Sequence, residues 1–79
     1  MTKRAEWVEC DPHDIGYSWR LDVGQIQIVA KWMGRWLWRS STGHHPNVSF
    51  NSLALAQADA VRWLRATIAE MAAMLPEAE

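Results

Sequence analysis

From Tyr17 to Val23 the chain alternates, with Tyr17, Trp19, Leu21 and Val23 on one side of an extended backbone and Ser18, Arg20 and Asp22 on the other. That is the pattern of a half-buried strand. Gly24 and Gln25 form a short turn, after which Ile26, Ile28, Ala30 and Trp32 alternate with Gln27, Val29, Lys31 and Met33. The pattern predicts a second strand. Gly34 interrupts it, and residues 35–40 resume it with Trp36 and Trp38 on one side and Arg35, Leu37 and Arg39 on the other. Three consecutive strands joined by short turns predict an antiparallel meander.

Residues 41–47 (Ser-Thr-Gly-His-His-Pro-Asn) lack apolar periodicity, and Pro46 disfavours helix before it, so they read as a loop. Val48, Ser49 and Phe50 offer a short edge strand, the fourth of the sheet. Asn51 or Ser52 then supplies a side-chain oxygen for the free amides of a helix beginning near Leu53. Pro76 places its end near Met74 or Leu75. At about 100° per residue, Leu53, Ala56, Ala60, Leu64, Ile68, Met71 and Leu75 share one stripe. Asp59, Arg62, Ala66, Ala69, Glu70 and Ala73 fall opposite, with Trp63 on the border. The expected fold is α+β: a three-stranded antiparallel meander, with room for a fourth strand, packed on one C-terminal helix.

The chain has 79 residues, 49% of them apolar, and six are Trp. This is enough for one core and too little for two, so a single domain is expected over 1–79, ordered from about 5 to 75 with frayed tails. A single cysteine, Cys10, excludes an intrachain disulfide, and no apolar run is long enough to be a signal peptide or membrane span. A cytoplasmic, membrane-free setting is the expectation.

The net charge of −1 conceals a segregation: the middle carries Arg20, Lys31, Arg35 and Arg39 against Asp22, while both ends are acidic. The four cations share the side of the sheet opposite the Trp rows, interleaved with Val29, Met33 and Leu37. Solubility accounts for charge on an outer face, but not for apolar residues among charges of one sign. The pattern points to an electropositive docking surface for an acidic protein patch or a nucleic-acid backbone. Trp19, Trp36 and Trp38 read as core, whereas Trp7 and Trp63 read as the exposed ones, Trp63 being a second candidate binding residue. The Ala-rich outer helix face (Ala58, Ala66, Ala69, Ala73) is a further surface on which a homodimer can form, or simply reflects helix propensity.

Cys10 and His13, with His44 and His45 far along the chain, contain zinc-ligand types but no Cys-x-x-Cys pair, so no metal site is expected. Cys10 with His13, or His13 with Asp11 and Asp14, is equally the raw material of nucleophilic or acid–base catalysis. The chain has no phosphate-binding glycine loop, no Gly-x-Ser-x-Gly and no His-Glu-x-x-His, so neither an enzyme nor a cofactor is expected.

Tyr17-x-Trp19, Trp36-x-Trp38 and Phe50-Asn51-Ser52 leading into Ala54, Ala56, Ala58 and Ala60 resemble a pattern of small uncharacterised proteins of bacteria and their phages, over roughly Tyr17 to Met71. These include anti-CRISPR-type inhibitors. That resemblance implies a non-catalytic protein-binding module, an inhibitor that blocks a host nuclease complex through surface charge. Three strands followed by a helix also resemble plant-type AP2 and phage integrase arm domains, where basic and aromatic sheet residues enter the DNA major groove. In that case Arg20, Arg35 and Arg39 would make the contacts, although the acidic ends and missing fuller motifs depart from those families.

Overall fold

A computed structural model of the chain describes residues 5–10 and 17–76. Its elements are β1 (Trp7–Glu9), β2 (Ser18–Val23), β3 (Ile26–Trp32), β4 (Trp36–Ser40) and α1 (Leu53–Met74). The strands form one antiparallel sheet in the order β1-β2-β3-β4, packed against the single helix, which is the α+β arrangement the periodicity predicts. The fourth strand is β1. Val48 and Ser49 add no strand, and Phe50 makes only an isolated bridge to Trp36 on the outer edge of β4.

The hairpins take their register from glycine. Gly24 has φ +60° between the paired residues Val23 and Ile26, where a two-residue hairpin needs positive φ at its first central position. Gly34, at φ +77°, does the same inside a three-residue loop whose Met33 N–H donates to the Arg35 carbonyl. Cross-strand pairs share a face, so the register sorts the sheet. Trp7, Leu21 and Ile28 align with Ser40, and Glu9, Trp19 and Ala30 with Trp38, on one face. Val8, Arg20, Val29 and Arg39 form a row on the other, beside Ser18, Lys31 and Leu37.

The first face holds the core: Leu21, Ile28, Ala30 and Trp38 are buried against Ala56, Ala60 and Leu64 of α1. Ser52 caps the helix, its hydroxyl accepting from the Leu55 amide, and Ala56 and Ala60 let the helix approach the sheet closely. The helix backbone lies over β4 and β3, and its side chains share one core with Leu21 of β2. Trp7, opposite Leu21 on β1, packs on the same core and extends it to the first strand.

Two expectations about the tryptophans are corrected by this geometry. Trp7 is half-buried against the core instead of exposed, and of the three read as core only Trp38 is fully buried. Trp19 and Trp36 are half-buried, since they lie toward the margins of what one helix can cover.

Neighbouring residues on β3 give a direct test of the two faces. Ile28→Ala should cost about 2–5 kcal/mol, the range for truncating a fully buried aliphatic side chain. Val29→Ala, one residue along on the uncovered face, should cost about 1 kcal/mol or less. Urea denaturation followed by tryptophan fluorescence measures both.

Candidate functional site

The face of the sheet away from α1 carries no second layer among the described residues. On it the register crosses two diagonals: Val29 on β3 with Leu37 on β4, and Lys31 on β3 with Arg39 on β4. Diagonal neighbours of this kind stand about 7–8 Å apart. Val29 and Leu37 are half-buried and the two cations are exposed, so an apolar floor lies between two positive charges. Met33 extends the floor beyond the end of β3, and His45 and Pro46 wall it along β4. The result is an open groove of about 450 Å³.

The candidate residues are only partly brought together. Arg20 lies in the same row as Val29 and Arg39, but its Nε is 3.0 Å from Asp22 Oδ2, and Asp22 Oδ1 also accepts from Gln27 Nε2 at 3.1 Å. Its charge is therefore balanced locally. Among the described residues no carboxylate pairs with Lys31 or Arg39. Arg35 sits in the β3–β4 turn instead of on a strand, with Nη1 3.5 Å from Ser49 Oγ, outside the groove. In the sequence His45 and Pro46 read as loop, with His45 also a zinc-ligand type, and no periodicity places a loop residue against a particular sheet face.

Trp63 belongs to a separate cluster on the helix side. Its ring is 5.4 Å from that of Trp38 and stacks on His44 at 4.6 Å with 6° between the planes. The loop is folded back to deliver His44: its carbonyl accepts from the Ser40 amide at 2.9 Å, and Ser40 Oγ lies 2.6 Å from Thr42 Oγ1. Trp38 Nε1 donates to Asp59 Oδ2 at 3.1 Å, and Asp59 Oδ1 accepts from Arg62 at 2.6 Å. Asp59, expected on the solvent side of α1, thus reaches back toward the sheet. Trp63 is half-buried and occupied by these contacts, so it fastens the loop to the helix and does not extend the groove.

Cys10 is exposed, its thiol 3.8 Å from the Val8 carbonyl. Asp11, His13 and Asp14 lie outside the described residues, among which no group of three His, Cys, Asp or Glu side chains is placed to hold a metal ion. No helix among the described residues is long and apolar enough to cross a membrane. Comparisons with protein-family models, curated proteins and solved structures find no match, so the geometry of the chain alone carries the functional reading.

Removing the Asp59 carboxylate strands the Trp38 N–H in a buried place. Asp59→Ala is expected to cost about 1–3 kcal/mol. In a Trp38→Phe background, which has no indole donor, the same substitution should cost less than about 1 kcal/mol. Chemical denaturation of the four proteins of this double-mutant cycle measures the difference.

Proposed function

We propose that the protein is a non-catalytic protein-binding module that docks a partner on the open sheet face. The crossing of the Val29–Leu37 diagonal with the Lys31–Arg39 diagonal carries this reading. An apolar floor between two cations rewards a ligand that buries an apolar anchor while setting a carboxylate against each charge. A protein patch with an exposed aliphatic or aromatic residue flanked by Asp or Glu has that chemistry.

The same features weigh against a phosphate backbone as the ligand. Nucleic-acid affinity accumulates over many phosphate contacts, whereas this face sets two cations without a carboxylate partner among the described residues beside a third that Asp22 neutralises. In the setting implied by the anti-CRISPR-type resemblance, the partner is an acidic patch on a protein subunit of a host nucleoprotein complex, and the bound chain inhibits by occupying it.

Capture from bacterial lysate with and without nuclease tests the reading. The expected result is a stoichiometric protein that survives nuclease treatment and is lost with Lys31→Glu plus Arg39→Glu. Leu37→Ser should weaken it about tenfold or more, as loss of a central apolar contact costs roughly 1.4 kcal/mol or above. Release of the captured material by nuclease, with tight binding to random duplex DNA at low salt, contradicts protein recognition and assigns the face to nucleic acid.

A further inference from the structure

The apolar stripe of α1 outlasts the sheet beneath it. Leu64 is the last buried residue of the helix, yet the helix continues to Met74, about 15 Å further at 1.5 Å per residue. Ala, Met, Glu and Arg in this stretch are strong helix formers, which explains why it is helical. Propensity does not explain where its apolar residues fall. Val61, Leu64, Ile68, Met71 and Leu75 recur at spacings of three, four, three and four, the a and d positions of a heptad. The domain's own core uses the first two, whereas Ile68, Met71 and Leu75 remain 42%, 50% and 70% exposed.

We propose that this seam is the contact of a homodimer, in which the projecting halves of two α1 helices pack antiparallel about a two-fold axis. A heptad seam is shaped for a second helix, and the register that layers a against d is self-complementary: Ile68 meets Met71 of the second copy in two central layers, and Leu75 closes each end beyond Leu64, which stays in its own core. The flanks agree with that register. Arg65 falls beside Ala72 of the second copy and Thr67 beside Met74, so no like charges face each other, and Glu70 lies on the outer side of the pair. The exposed parts of Ile68, Met71, Met74 and Leu75, with Ala72 beside them, present on the order of 500 Å² per copy. Closing them against each other removes about 1,000 Å² in total, where specific interfaces begin. This seam is distinct from the Ala-rich outer face, which stays in water, and it does not depend on the open sheet face.

Sedimentation equilibrium of the full chain from micromolar to millimolar concentration tests the pairing. The expected species at the upper end has twice the 9.1 kDa chain mass. Ile68→Glu and Met71→Lys should each be monomeric, because each sets a charge into an apolar layer. An equimolar mixture of the two should dimerise again, since the register brings Glu against Lys in one layer and leaves the other apolar. Both positions lie beyond the buried part of the helix, so circular dichroism and tryptophan fluorescence should show an unchanged fold. Ala66→Glu on the outer face, and Lys31→Glu plus Arg39→Glu on the sheet, should leave association intact, which separates this contact from the proposed partner site. A chain that stays monomeric to about 1 mM, or a dimer that persists in both seam variants, overturns the proposal.

Discussion

Trp38 decides which face of the sheet the helix covers, and so which face is left to water. Its indole is buried on the α1 side of β4, donates to Asp59, and packs against Trp63, which in turn stacks on His44. Sheet, helix and loop meet at this one ring. A large aromatic with a hydrogen-bonding edge suits the position because it supplies apolar area toward the core and a directional bond toward the helix. With the helix held over β3 and β4, no other described element is left to cover the opposite side, and the composition of that side has to be compatible with solvent.

The abundance of tryptophan follows from the same constraint. The backbone of one helix lies over two strands of a four-stranded sheet, so the apolar row on β1 and β2 needs more cover than the helix side chains that meet Leu21. Trp7 supplies part of it from within the sheet, half-buried and packed on the core that contains Leu21. Tyr17, Trp32 and Trp36 form a ring-to-ring chain where the sheet extends past the helix, with centroids 6.3 and 5.5 Å apart. Large rings do at these margins what a second helix does in a bigger domain. Val29 and Leu37 have no such explanation, because they lie on the side the helix cannot reach, and this is why a partner on that face accounts for them better than solubility does.

Parity along the strands was legible in the sequence: the alternation from Tyr17 to Arg39 separates the core row from the charged row, and the observed register preserves that separation. The helix bounds were legible too, because Ser52 and Pro76 bracket them. What parity cannot show is where a side chain in a turn points, so Arg35 was grouped with the strand cations although Gly34 carries it off the face. β1 escaped notice because its three residues are too short for alternation to register and its partner, Leu21, is fourteen positions away. Asp59 was assigned to solvent by the helical stripe, and only the position of the Trp38 indole explains why a carboxylate faces inward there. His44 and His45, adjacent in sequence, serve opposite faces of the sheet, a split set by loop hydrogen bonds that leave no mark on composition.

A buried face makes the fold, and the open face is the one we propose meets a partner. Methyl-labelled NMR spectra of the protein, recorded free and bound to its captured partner, report on the two faces separately, because Val29 and Leu37 carry methyl groups on the open side and Ile28 and Leu21 on the buried side. The account predicts that the methyls of Val29 and Leu37 shift or broaden on binding while those of Ile28 and Leu21 stay in place. Shifts confined to the helix methyls, with Val29 and Leu37 unmoved, would contradict it.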